Sequence, residues 1–285
     1  MIIITGATGH LGKHVVQQLL TKVPASQVAV AVRDVAKGRA TFTGTGVEIR
    51  HADYSKPETL EGAFKGADKV LLISSSEVGQ RATQHLAVIA AARRAGVKLL
   101  AYTSILHADH AKISLAAEHK ATEEAIQASG IPYVILRNGW YTENYTEHLA
   151  PALAHGAIAG SAQEGKIAAA TRADFAGAAV EVLTGSGHEN KIYELVGDTA
   201  FTMAELAGEV ARQSGKPVVY QDLPADAYKS MLISVGLPEP VAGMLADADL
   251  AIARGELVDS SSDLQKLLGR PTTSLKDAVA AGLRA

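Results

Sequence analysis

The sequence predicts an α/β protein, a doubly wound parallel sheet with a smaller, mostly helical C-terminal lobe. Two observations carry this. Short apolar runs alternate with stretches of helical spacing through the first half of the chain, the pattern of right-handed βαβ units. The first of these runs, MIIIT, passes into a turn with glycines at positions 6, 9 and 12 before helical spacing begins. Strand, glycine turn and helix in that order make the pyrophosphate cradle of Rossmann-type folds.

In chain order, strands are expected at Ile2–Thr5, Val28–Val32, Val47–Arg50, Lys69–Ser74, Lys98–Thr103 and Tyr133–Arg137. They read as continuous β-rich runs, as strands buried on both faces should. Helices are expected between them at Leu11–Leu20, Pro57–Lys65, Arg81–Ala95 and Leu115–Ser129. In AGVKLLAYTS, Gly96 closes a helix and a strand starts directly after it.

Beyond Asn138 the pattern loosens. Tyr141–Ala154 reads as helix, Gly156–Gly165 as a small-residue connection, TRADFAGAAVEVL as a helix and KIYELVG as a further strand. Asp174 falls in the first turn of that helix, where the dipole favours a carboxylate. Helices then dominate at Thr202–Ser214, Ala225–Ser234, Val241–Arg254, Ser262–Leu268 and Ser274–Leu283, with a brief strand near Val218–Tyr220. The expected division is a nucleotide-binding domain over 1–140, to which 166–198 return, and a smaller lobe over 199–285 with 141–165 contributing.

Composition narrows the function. Of 285 residues, 47% are hydrophobic and 20% charged, with a net charge of −3 and no basic stripe, so nucleic acid is not an expected partner. No apolar run reaches the ~18 residues of a membrane span. The N-terminus opens on a strand rather than a signal peptide. Cysteine is absent, which removes disulfides and thiolate chemistry and suits a reducing cytoplasm.

In the glycine turn, Gly6 allows the sharp exit from the strand, Gly9 lets a phosphate approach the backbone, and Gly12 lets the helix pack closely on the sheet. The first-turn N–H groups, with the helix dipole behind them, face the anion. The residue that reads the adenosine ribose is expected at the end of the second strand, where VAVAVRD places Arg33 and then Asp34. Arg33 suits a 2′-phosphate and hence NADPH, whereas Asp34 would favour the bare ribose of NADH. Arg33 holds the first position past the strand, so NADPH is expected and NADH is possible. Strand ends also present Asp53 and Tyr54 toward the adenine, and Ser74, Ser75, Ser76, Thr103 and Ser104 toward the nicotinamide.

The proton-donor pair Tyr-x-x-x-Lys is missing, since none of the eight tyrosines has lysine four residues later. Reduction of a simple ketone leaves a strongly basic alkoxide and needs a donor in place. Hydride addition to a quinone leaves an anion of a phenol of pKa ~10, which water can protonate. Conjugated acceptors, quinones and cationic dyes among them, are therefore allowed.

TGATGHLG, with its G-x-x-G-x-x-G spacing, resembles the atypical branch of the short-chain dehydrogenase/reductase superfamily. SSSEVGQRATQH, AYTSILHAD, ILRNGWYTENY, ATRADFA and VDSSSDLQKLLGRPTTSLKD extend the resemblance along the whole chain. They are similar to the NADPH-dependent quinone reductases of that branch and, less closely, to triphenylmethane dye reductases and nitrogen-metabolite-repression regulators. The resemblance implies a two-lobed reductase with quinone beside the nicotinamide. It assigns Gly6, Thr8, Gly9, His10, Leu11 and Gly12 to the diphosphate, Arg33 to the adenosine phosphate, and Ser74, Ser75 and Thr103 to the nicotinamide side. It assigns Asn138, Gly139, Trp140, Tyr141 and Asn144 to the substrate cleft. Lys120 stands where related reductases carry a catalytic or ribose-binding lysine, so Lys120, Tyr141 and Asn144 are the candidate catalytic side chains.

Plainer uses stand beside these. Trp140 and Tyr141 suit core packing as well as stacking on a flat quinone. Asn138 and Asn144 suit turn capping, and Lys120 suits a solvated helix face. His107 and His110 flank Asp109 but lack a third metal ligand, so no metal is expected. A cofactor-sensing regulator on the same fold is the alternative to an enzyme. The oligomeric state is left between monomer and homodimer.

Overall fold

A computed structural model describes residues 1–284. In its first half, β1 (Ile2–Thr5), α1 (His10–Leu19), β2 (Val28–Val32), α2 (Val35–Thr41), β3 (Glu48–His51), α3 (Pro57–Ala63), β4 (Lys69–Leu72), α4 (Arg81–Arg94), β5 (Leu99–Ile105), α5 (Ala116–Ala128) and β6 (Tyr133–Asn138) follow one another. The chain then leaves the sheet through α6 (Glu143–Thr146), α7 (Ala150–His155), β7 (Ala157–Gly160) and β8 (Lys166–Ile167). It returns with α8 (Arg172–Thr184) and β9 (Lys191–Leu195). The remainder is β10 (Phe201–Thr202), α9 (Met203–Ser214), β11 (Val219–Asp222), α10 (Ala225–Ser234), α11 (Glu239–Ala253), α12 (Asp263–Leu268) and α13 (Leu275–Gly282).

The main sheet is a seven-stranded, all-parallel Rossmann-type sheet in the order β3-β2-β1-β4-β5-β6-β9. Side chains alternate between its faces. Ile2, Ile4, Val28, Val30 and Val32 join α1 and α8 in one core, while Ile3, Ala29 and Ala31 join α3, α4 and α5 in another. A third cluster, built around Trp140, Ile167, Phe201, Leu206 and Ile252, lies beyond the sheet. Two small sheets belong there, β8 with β10 antiparallel and β7 with β11 parallel. The order of the main sheet reverses between β1 and β4, the switch point where such folds bind their ligands.

Three local features depart from the sequence reading. Asp34–Thr41 holds a helix, α2, because the Asp34 carboxylate accepts from Lys37 N–H at 3.0 Å and caps it. The single helix expected over Tyr141–Ala154 is two short ones, the second carrying Pro151 in its first turn and ending at left-handed Gly156. The small-residue stretch after it contains β7, which forms because Val219–Asp222 supplies its ladder.

Candidate active site

At the switch point a cleft of about 510 Å³ opens over the β1–α1 turn. Gly6 takes φ +59, and its carbonyl accepts from Gly9 N–H at 3.0 Å, which closes the turn. A Cβ on Gly12 would stand 2.5 Å from Gly6 O and 2.6 Å from Ala7 Cα, so only glycine lets the helix begin this close to the turn. The first helical bond runs from Lys13 N–H to Gly9 O. The N–H groups of His10, Leu11 and Gly12 are left at the open end of α1, a backbone cradle suited to a diphosphate.

The outer end of the cleft is formed by Arg33 after β2 and by Ala52, Asp53 and Tyr54 after β3. Asp34 is turned away as the cap of α2, so of the two candidate ribose readers it is Arg33 that lines the cleft. The Tyr54 hydroxyl lies 2.5 Å from Thr5 Oγ1 and 3.0 Å from the Ile73 carbonyl, tying the third strand end to the floor.

Ser74, Ser75, Ser76 and Glu77 pass along the other side as a strap between β4 and α4. Its backbone is pinned from below. Ser74 N–H donates to Thr103 Oγ1 at 2.9 Å, and Ser75 N–H donates to His85 Nε2 at 2.9 Å. Arg81 Nε donates to the Ser75 carbonyl at 2.7 Å, and Glu118 accepts from both Arg81 and Gly79 N–H. Burial, with Arg81 adding to it, pushes the His85 imidazole down to about 3, so it remains the acceptor that Ser75 requires.

Opposite the glycine turn stands Tyr141, with the Arg172 guanidinium 5.0 Å from its ring centroid. Arg172 is held by Glu147 at 2.8 Å and Asn144 Oδ1 at 3.1 Å, while its backbone N–H donates to Glu143. Burial pushes the Tyr141 phenol up, against the opposing pull of Asn138 and Arg172, so the hydroxyl stays a neutral donor.

The structure brings Gly6, Thr8, Gly9, His10, Leu11, Gly12, Arg33, Asp53, Ser74, Ser75, Ser76 and Tyr141 to this one cleft. Other expected residues lie elsewhere. Ser104 is buried and donates to Glu123 Oε1 at 2.5 Å, because alternation along β5 turns it toward α5. Lys120 is exposed on α5, off the face carrying His119, Thr122, Glu123 and Ile126. Thr103 does not line the cleft; its Oγ1 accepts from Ser74 N–H beneath the strap. Gly139 is wedged under the Leu195 carbonyl, and Trp140 packs in the cluster beyond the sheet. Asn138 is buried behind the cleft on the side of the Tyr141 phenol, its Oδ1 without a hydrogen-bond partner, and Asn144 Oδ1 accepts from Arg172. Glu77, Arg81, Gln84 and Arg172 also line the cleft; they lie within SSSEVGQRATQH and ATRADFA, but nothing in the sequence singles them out as site residues. His107 and His110 stack at 4.9 Å and pair separately, with Asp259 and Asp109. Among the described residues no cluster of three or more such ligands could hold a metal ion.

The glycine cradle, where a Cβ would clash, and the cation at the end of β2 fit a phosphorylated dinucleotide. Residues 1–273 match the NmrA-like family. The chain belongs to the NmrA-like family. It is 52% identical over 279 residues to Quinone oxidoreductase 2 of Escherichia coli (strain K12), covering 98% of this chain and 97% of that one. The crystal structure of the Escherichia coli quinone oxidoreductase complexed with NADPH superposes with a TM-score of 0.95, covering 99% of each chain. The Citrobacter sp. triphenylmethane reductase complexed with NADP(H) is 44% identical, with a TM-score of 0.95 over 99% of this chain and 100% of that one. The transcriptional regulator NmrA, 13% identical with a TM-score of 0.81, shares the fold. No described helix of this NmrA-like chain is long and apolar enough to cross a membrane.

Proposed function

We propose that this protein is an NADPH-dependent reductase of quinones. The observation that carries the reading is the cleft, where a glycine cradle and Arg33 suit NADPH and no Tyr-x-x-x-Lys pair serves as proton donor. The 52% identity to a quinone oxidoreductase supports the same acceptor. NADPH, when bound, supplies the hydride. The chain's own work is to bind and orient. The first-turn N–H groups of α1 hold the diphosphate, Arg33 holds the 2′-phosphate, and the pinned Ser74–Ser76 backbone forms the wall along which the nicotinamide end lies. The Tyr141 ring, backed by Arg172, offers a flat surface to a planar acceptor. The hydroquinone anion takes its proton from water, because its basicity is that of a phenol. The reaction needs one small-molecule quinone and no nucleic acid or membrane. It suits a cytoplasmic monomer or homodimer.

Oxidation of NADPH by small quinones, followed by absorbance, tests this. Turnover is expected, and tight cofactor binding without turnover would overturn it in favour of a cofactor sensor. A cationic triphenylmethane dye belongs in the same assay, since a reductase named for such dyes is 44% identical to this chain.

A further inference from the structure

Arg33, placed to meet a 2′-phosphate, already has a partner. Its Nη1 donates to Glu77 Oε1 at 2.7 Å, across the outer end of the cleft. The other carboxylate oxygen of Glu77 accepts from Gln84 Nε2 at 2.7 Å, and the same Gln84 nitrogen reaches Ser55 Oγ at 3.0 Å. A polar chain, Arg33–Glu77–Gln84–Ser55, therefore ties the end of β2 to α4 and to the turn after β3. Gln84 is buried with Oε1 unpartnered, and the first three members all line the cleft.

The strap carrying Glu77 is fixed at its base through Ser75, Gly79 and Arg81, and Glu77 N–H itself donates to Ser75 Oγ at 3.2 Å. What is free to swing is the Glu77 side chain, which is 43% exposed, and the Arg33 side chain, 71% exposed. Resting on the cofactor assignment above, we propose that Glu77 is a specificity-determining residue. In the free protein it occupies Arg33, and it must give up the guanidinium before a 2′-phosphate can be gripped. Two costs follow for a cofactor with that phosphate, the lost ion pair and the proximity of a carboxylate to a phosphate dianion. A cofactor with a bare 2′-hydroxyl leaves the Arg33–Glu77 pair intact and meets neither cost. Glu77 thus narrows the preference for NADPH over NADH that Arg33 creates, and its opposition weakens as salt screens exposed charges.

Calorimetric binding of NADP⁺ and NAD⁺ to the Glu77→Gln and Arg33→Ala variants tests this without turnover. Glutamine keeps the hydrogen bonds to Arg33 and Gln84 possible and removes only the charge. The expected result is about a two- to fivefold tighter NADP⁺ complex for Glu77→Gln, the range of an exposed ion pair, with NAD⁺ unchanged. Arg33→Ala should weaken NADP⁺ selectively. If Arg33→Ala behaves so but Glu77→Gln shifts both cofactors equally, shifts neither, or weakens NADP⁺, the latch is overturned and the cofactor assignment stands. If Arg33→Ala weakens both cofactors equally, the assignment of Arg33 to the 2′-phosphate fails, and the latch fails with it.

Discussion

The backbone N–H of Ser75 donates to Nε2 of His85 across 2.9 Å, so the proton of this neutral ring sits on Nδ1, where it donates to Thr122 Oγ1 at 3.0 Å. Protonating Nε2 would break the bond that holds the Ser74–Glu77 strap. Burial, then the nearby Arg81 charge, lowers the His85 value to about 3. His119, beside Tyr102 in the same layer, is also held well below the usual range by burial.

A depressed histidine gives stability a definite slope. Above the unfolded value of about 6.5 both states are neutral and His85 adds no pH dependence. Below it the unfolded chain takes up a proton that the native state refuses. Native stability should therefore fall by about 1.4 kcal/mol per pH unit for this histidine, from near pH 6.5 down to near pH 3. Urea melts at several pH values check this. His85→Gln, which retains an acceptor for Ser75 and cannot titrate, should show a shallower slope.

Glycine has opposite meanings in two helices. At Gly12 an added methyl would meet Gly6 O at 2.5 Å and Ala7 Cα at 2.6 Å. Gly12→Ala should cost on the order of 1–3 kcal/mol and should weaken cofactor binding at least tenfold by calorimetry. At Gly208, inside α9, nothing lies within 4 Å of the place a methyl would take. Gly208→Ala should stabilise by about 0.5–1 kcal/mol, visible as a rise in Tm with unchanged cofactor affinity.

Arg137 lies in β6 with Glu123 at 2.7 Å from Nη2 and Glu194 at 2.7 Å from Nη1, and the Glu123 side chain is 5% exposed. Arg137→Met would leave Glu123 buried without its cation. The expected cost is roughly 3–5 kcal/mol in urea denaturation. Cofactor affinity should change little at temperatures where the variant stays folded, because the network faces α5 rather than the cleft.

Tyr141 separates two chemistries. If its hydroxyl delivered the proton in the rate-limiting step, Tyr141→Phe would lose on the order of 10²–10⁴ in kcat. With water as the proton source, the phenylalanine variant should keep quinone turnover within about threefold, the ring still packing on Phe175. Wild-type kcat should also be flat from about pH 6 to 8, since burial holds the phenol above its ordinary value near 10.

The parts legible in the sequence are those whose cause is local. MIIIT followed by spaced glycines determines a strand, a turn and a helix within a dozen neighbouring residues. Arg33 is legible because its place depends only on where β2 ends. α2 is not, since DVAKGRAT shows little periodicity and its Gly38 packs against Val32 and Ile49 for want of a side chain. β7, spelled AIAG, becomes a strand only through a partner some sixty residues later. Ser104 misses the cleft by one step of strand alternation, and Lys120 by one step around a helix. Glu77, Gln84 and Arg172 need the fold itself, because their partners are 44, 29 and 28 residues away.

The excursion between β6 and β9 bears on how the chain is made. A nascent chain that has emerged as far as Asn138 can pair six strands and lay α1 over β1, yet the same face around Leu71, Ala101 and Leu136 depends on Phe175, Val180 and Leu183 of α8 for cover. Until those residues leave the ribosome, the face remains an apolar surface open to neighbours. The translation of about fifty further residues, rather than any step in sheet formation, is then the interval in which this protein most needs a chaperone.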